Sequence, residues 1–189
     1  MPDLYETRAP RAEDIPTLAA IADATLFPGE MLADMIAPVL AGQGDDLWRV
    51  VTRDDRAVGF ALAQPEAMTD RTWNLRAIAT HPDLHGAGAG TALVRSVETA
   101  LEEARLLVID TTQLPDQARA RRFYVARGWR QVGTIPDFFG AGEDKVTFVK
   151  ALIWLDKGVG GTTTRPRHFQ DMRVRRAFAL ACDSDQFRF

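Results

Sequence analysis

The stretch that most constrains this chain is Gly86-Ala87-Gly88-Ala89-Gly90. It joins an apolar run, residues 75–80, to a helical pattern. The run reads as a strand and is followed by a turn at His81, Pro82 and Asp83. Beyond the glycines, Leu93, Val97, Ala100 and Ala104 recur at helical spacing and define one buried face. A second apolar strand, residues 106–109, stops at Asp110. Residues 73–112 thus read as strand, glycine-rich turn, helix and strand.

That order has a physical use. Free backbone N–H groups at a helix start point outward, and the helix dipole favours negative charge there. Glycines let a phosphate approach the backbone without meeting a Cβ. No Lys or Arg lies between Pro82 and Val94, so the amides themselves would do the binding. A flexible Gly/Ala turn is the plain alternative; the strand-to-helix context favours a pyrophosphate cradle. A P-loop needs Gly-Lys-Ser/Thr at its end, and here Gly90 is followed by Thr91 and Ala92. A dinucleotide fingerprint needs G-x-G-x-x-G and an acidic residue after the next strand. Asp110 would serve as the acid, but the glycines are spaced G-x-G-x-G.

Residues His85-Gly86-Ala87-Gly88-Ala89-Gly90 resemble the acyl-CoA motif of the GNAT N-acetyltransferase superfamily, Gln/Arg-x-x-Gly-x-Gly/Ala. His85 stands where the family usually has Gln or Arg. A second motif, Asn-x-x-Ala-x-x-Phe-Tyr followed by Gly-Phe, is similar to Gln117, Ala120, Phe123, Tyr124 and then Gly128-Trp129. Residues 142–150 also resemble a common ending of the family, so the likeness covers about residues 5–152.

The resemblance implies an α/β (α+β) fold: a mixed, mostly antiparallel central sheet, helices on both faces and one splayed parallel strand pair. It implies transfer of an acetyl group from acetyl-CoA, as co-substrate, to a primary amine on a small molecule or peptide. Acetyl-CoA would lie between strands 75–80 and 106–109. Pantetheine would meet the backbone around Ile78, Ala79 and Thr80. The pyrophosphate would meet the amides of Gly86, Ala87, Gly88, Ala89, Gly90 and Thr91. His85 reads as a phosphate contact or an exposed turn residue, and Gln117 as a further cofactor contact. Tyr124 is the implied general acid; a thiol pKa of about 8.5 and a phenol pKa of about 10 suit proton transfer. A core tyrosine is its other reading.

The general base is not legible. Asn74 stands near the place where the family often has Glu, and an Asn there would orient a water rather than take a proton. Glu30, Glu66, Asp70 and Asp137 either edge the acceptor side or are solvated loop charges. If they edge it, a cationic amine is expected. Arg121 and Arg122 either meet the 3′-phosphate of CoA or are ordinary helix-surface charges. Trp73, Phe138 and Phe139 either wall an acceptor pocket or pack in the core. Two rival functions remain: a nucleotide-binding oxidoreductase using Asp110 on a ribose, and a non-catalytic acyl-CoA-binding module.

The rest of the chain is read around this unit. A first strand is expected over 4–8, then a helix with Asp14 as N-cap. A second helical pattern follows the Phe27-Pro28-Gly29 break, and Pro38 predicts a kink or early end in it. Strands 48–52 and 58–63 form a hairpin. A helix starting near Pro115 and ending at Gly128, a strand over 129–134, a loop over 136–142 and a last strand over 146–152 complete the order.

With 189 residues, the chain has room for one domain with a sizeable core. That domain is expected over 1–152, with 153–189 as an extension that is poorly ordered or appended. Within it, Arg173, Arg175 and Arg176 lie beside the apolar residues 177–181. A net charge of −3 argues against nucleic acid as a partner. Cys182 is the single cysteine and the three histidines are scattered, so no metal is expected. No apolar run suits a signal or a membrane span, so a cytoplasmic protein without a membrane partner is expected. A homodimer is left open.

Overall fold

The computed structural model describes residues 4–152; the expected extension after residue 152 lies outside the described residues. The elements follow the order expected from the sequence. β1 (Glu6–Arg8) leads to α1 (Ile15–Thr25) and α2 (Met31–Leu40). A hairpin of β2 (Leu47–Arg53) and β3 (Arg56–Pro65) precedes β4 (Thr72–Thr80). Then come α3 (Ala89–Ala100), β5 (Leu106–Thr112), α4 (Ala118–Ala126), β6 (Arg130–Gly140) and β7 (Glu143–Ala151).

Among the described residues the strands form one seven-stranded sheet in the order β1-β2-β3-β4-β5-β7-β6. Every neighbouring pair is antiparallel except β4 and β5. Alternation along the strands divides the apolar side chains between two faces. On one face Leu18, Ile21, Leu32 and Ile36 of α1 and α2 cover Trp48, Val50, Phe60 and Leu62. On the other, Leu93 and Val97 of α3 and Tyr124 of α4 pack on Val51, Leu75, Leu107 and Phe148. Leu93 and Val97 sit on the helical face read from the sequence, but Ala100 is exposed and Ala104, though buried, lies beyond the end of α3, whose buried side is completed by Ala89 and Val94.

The parallel pairing of β4 with β5 is short: Thr72 with Leu106, Trp73 with Leu107, Asn74 with Val108. Beyond it the strands diverge. β3 keeps the far edge of β4 paired as far as Thr80, and β7 keeps the far edge of β5 paired as far as Thr112. The parting has a local cause. Leu62 faces Ala77 while Ala63 faces Leu75, so Arg76 is an extra residue in β4. Such a bulge bends a strand and increases its twist.

Three expectations are corrected. α2 passes through Pro38 and ends at Leu40, because Pro38 lies in the helix's last turn. Residues 136–140 are strand rather than loop, since β6 is the outer strand of the sheet, where a proline costs little pairing. Asp14 does not cap α1 through its side chain. Its carboxylate instead accepts from the Arg11 N–H at 2.7 Å and from both Arg8 guanidinium nitrogens at 2.7 and 2.8 Å. This cluster ties β1 to the start of α1.

The Arg8 hydrogen bonds hold the Asp14 carboxyl below its usual range, against an opposing effect of burial. A depressed carboxylate adds stability above its unfolded pKa of about 3.9 and loses it as pH falls through the folded value. Asp14→Asn should therefore cost about 1–3 kcal/mol at pH 7, and the gap to wild type should narrow at a pH below the unfolded value of about 3.9, as the folded carboxyl takes up its proton. Urea denaturation at both pH values checks this.

Candidate active site

The fork between β4 and β5 leaves backbone groups open. The His81 N–H donates to the Val58 carbonyl at 2.8 Å, which turns that peptide toward β3. The Ala79 carbonyl also faces β3, lying 2.5 Å from where a Cβ on Gly59 would stand. Peptide groups alternate sides along a strand, so those of Ile78 and Thr80 face β5 across the fork. Ala79 differs from the sequence expectation here. Its polar backbone is turned away from the fork, and its side chain is buried under α1 and α2.

The chain then turns through Pro82–Leu84 into the glycine stretch. His85 N–H donates to Pro82 O at 3.1 Å and Ala87 N–H to Leu84 O at 3.1 Å. The second bond takes Ala87 out of the expected set of free amides. Gly86 and Gly88 have φ of 82° and 102°, a conformation that a side chain resists, and Gly88 caps α3. Among the described residues, the N–H groups of Gly86, Gly88, Ala89, Gly90 and Thr91 donate to no protein acceptor. They form an unspent cluster of donors at the start of a helix.

One cation reaches this cluster from elsewhere in the chain. Arg119, on α4, brings a guanidinium nitrogen to 4.0 Å from where a Gly86 Cβ would be. No local pattern around residue 119 signals this, since α4 docks beside the turn only through the tertiary fold. The His85 ring is largely exposed, yet partial burial and then the Arg119 charge lower its pKa. Gln117, the residue before α4, points its amide at Asp116 at 3.4 Å and is part-exposed. Arg127 reaches α3 from the other end of α4, donating to the Thr91 hydroxyl at 3.0 Å through Nε.

Tyr124 is 5% exposed. Its ring packs among Phe123, Phe148 and Trp129, with centroids 5.6, 5.7 and 6.1 Å away. Burial pushes its pKa up. The hydroxyl has no hydrogen-bond partner among the described residues, yet it is not one of the sealed, unpartnered polar atoms, which are Tyr5 OH, Trp48 Nε1 and Trp129 Nε1. A buried, protonated phenol results.

On the opposite face of the sheet, two polar clusters flank the fork. Asn74, 3% exposed, donates to Glu66 Oε1 at 2.7 Å, and Arg76 donates to the same oxygen at 3.3 Å. Asn74 is the last β4 residue paired with β5, so this contact carries the Glu66 carboxylate to the mouth of the fork. On β5, Asp110 accepts from Thr147 Oγ1 at 2.7 Å and pairs with Lys145 at 2.8 Å. Those partners occupy both of its oxygens, which leaves it poorly placed to hold a ribose.

The other candidates are dispersed. Asp70 pairs with Arg71 at 3.4 Å, Asp137 accepts from Gly142 N–H at 2.7 Å within the β6–β7 turn, and Glu30 is exposed before α2. Arg121 is spent on the Thr112 and Leu114 carbonyls at 2.6 and 2.9 Å, while Arg122 is exposed. Trp73 packs against the core, whereas Phe138 and Phe139 are half-exposed and stack edge-on at 5.0 Å. No group of three or more His, Cys, Asp or Glu with metal-site geometry occurs among the described residues.

Residues 15–129 match the model of the acetyltransferase (GNAT) family. No protein of curated function matches the chain in sequence. Among solved structures, a GNAT-family protein from Desulfovibrio desulfuricans superposes with a TM-score of 0.73 at 24% identity, covering 79% of this chain and 99% of that one. The ribosomal-protein-S18-alanine N-acetyltransferase from Escherichia coli gives 0.62 at 20% identity, covering 83% and 99%. YncA from Salmonella typhimurium, solved with acetyl-CoA, gives 0.64 at 16% identity, covering 84% and 100%. At these identities the likeness is one of fold.

Proposed function

The chain belongs to the acetyltransferase (GNAT) family, and from that premise we propose that it moves an acetyl group from acetyl-CoA to a primary amine on a small molecule or peptide. The observation that carries this reading is the row of unspent amides at Gly86 and at Gly88, Ala89, Gly90 and Thr91 beside the fork. A diphosphate satisfies such donors, and the helix dipole adds to the attraction. Arg119 adds the charge that the turn itself lacks. Ile78 and Thr80 offer peptide groups to the amides of pantetheine, which would enter the fork as a strand does.

The chemistry then needs two proton movements. A neutral amine attacks the thioester carbonyl carbon, a C–N bond forms and the C–S bond breaks. Tyr124 gives its proton to the departing thiolate. Glu66, held by Asn74 and Arg76, takes the proton released by the amine, directly or through a water. No metal enters this scheme.

Asp110 bears on the rival oxidoreductase, because its bonds to Thr147 and Lys145 occupy the carboxylate that a ribose would need. Among the described residues no helix is long and apolar enough to cross a membrane. Use of acetyl-CoA, an intracellular metabolite, supports a cytoplasmic site of action.

The test is thiol release from acetyl-CoA with a panel of polyamines, aminoglycosides, lysine-like amines and peptide N-termini. At least one class should give thiol and acetylated amine in equal amounts. CoA binding without turnover on any amine would instead favour a binding module, and binding of NAD in place of CoA would favour the oxidoreductase.

A further inference from the structure

Helix α4 carries Tyr124 but has little apolar surface with which to fix its own position. Of its nine residues only Tyr124 is buried. Val125 and Ala126, which follow it, are exposed. A broad apolar face ordinarily sets how a short helix docks. Where that face is narrow, specific contacts at the helix ends weigh more.

At the start of α4, Arg121 ties the helix to the end of β5 through the Thr112 carbonyl. At its other end the contacts converge on Arg127. The guanidinium donates to the Thr91 hydroxyl on the first turn of α3, through Nε at 3.0 Å and through a terminal nitrogen. It also lies over the Phe123 ring, 4.3 Å from the centroid. The Arg127 carbonyl accepts from Lys150 Nζ at 2.9 Å, and Lys150 pairs with Glu98 of α3 at 2.6 Å. One residue thus fastens α4 to α3 twice, directly and by way of β7.

Phe123 carries this fastening to Tyr124. Two of its ring carbons lie 3.5 Å from where a Cβ on Gly90 would stand, so the ring rests on the first turn of α3. The same ring meets that of Tyr124 edge-on, at 5.6 Å and 73°. A guanidinium held by the Thr91 hydroxyl on one side keeps Phe123 in place on the other. The contacts Thr91, Arg127, Phe123 and Tyr124 therefore join the turn with the open amides to the buried phenol.

We propose that Arg127 is a positioning residue for acetyl transfer: by clamping Phe123 on the start of α3, it sets where the Tyr124 hydroxyl stands relative to a cofactor on the open amides. The inference rests on the proposed role of Tyr124 as the acid. A proton donor displaced by about 1 Å loses much of its effect. The amides that would hold the diphosphate belong to α3 and its turn, so they stay in place when α4 shifts.

Arg127→Met keeps an unbranched stem over Phe123 and removes both hydrogen bonds to Thr91. It should lower kcat about 10-fold, while the CoA dissociation constant from calorimetry stays within about threefold of wild type. Arg127→Lys, which keeps a cation near Thr91, should fall between the two. In a Tyr124→Phe background, Arg127→Met should lower kcat no further, because the hydroxyl it positions is gone. Should the Met variant not fold, the same cycle is run with Arg127→Lys. Wild-type kcat in Arg127→Met, an equal loss of CoA affinity, or a full further loss on top of Tyr124→Phe overturns the positioning role and leaves the acid in place. An unchanged kcat in Tyr124→Phe alone overturns the acid and this inference together.

Discussion

Tyr124→Phe is expected to lower kcat by about 100-fold or more while CoA binds as before. The substitution removes one oxygen and keeps the ring, so the packing against Phe123, Trp129 and Phe148 survives and the melting temperature should move little. On the proposed mechanism, what is lost is the proton for the leaving thiolate. Burial raises the Tyr124 pKa, so the hydroxyl stays protonated through neutral pH and beyond its ordinary value of about 10. The alkaline limb of wild-type kcat should accordingly not reflect loss of this proton below about pH 10. Steady-state kinetics over pH 7–10, with whichever amine the panel identifies, provides the measurement. A variant within twofold of wild-type kcat would return Tyr124 to the role of a core residue.

Gly88→Val is expected to weaken CoA binding by about 100-fold or more, through two effects that act together. A β-branched residue at φ 102° is strained by about 1–3 kcal/mol, which disturbs the peptide groups on either side. Its side chain would also stand at the open amides, with a Cβ 3.6 Å from the Tyr5 ring. Gly42→Val is the control. Gly42 has φ 68°, and a Cβ there meets nothing within 4 Å, so the variant carries similar strain in a turn remote from the site. Calorimetry should show normal CoA affinity for the Gly42 variant and a severe loss for the Gly88 variant. Normal affinity in both would mean that the glycine turn does not hold the cofactor.

Much of the fold was legible because its signals are local. Gly86 to Gly90 announce a turn that a phosphate can approach, and the Leu93 and Val97 spacing announces the buried side of α3. Residues 136–140 read locally as a loop because Pro136 and the glycines carry that signature. Their strand conformation depends on β7 lying alongside, a partner that no short window contains. Asp14 shows the same limit. Its identity and position suggest a cap, but Arg8 bends back from β1 and takes the carboxylate.

The site divides along the same line. By itself the sequence determined which backbone segment could hold a diphosphate, which tyrosine stands in the second motif, and the order of strands and helices. These follow from the conformational freedom of glycine and from side-chain periodicity, both properties of neighbouring residues. Only the tertiary structure decided where β4 and β5 part, which amide in the turn is already spent, that Arg119 leans over Gly86, and that Asn74 fixes Glu66. Those facts depend on strand register and helix docking, which bring together groups far apart in the chain, and nothing in the local spacing of residues encodes such distances.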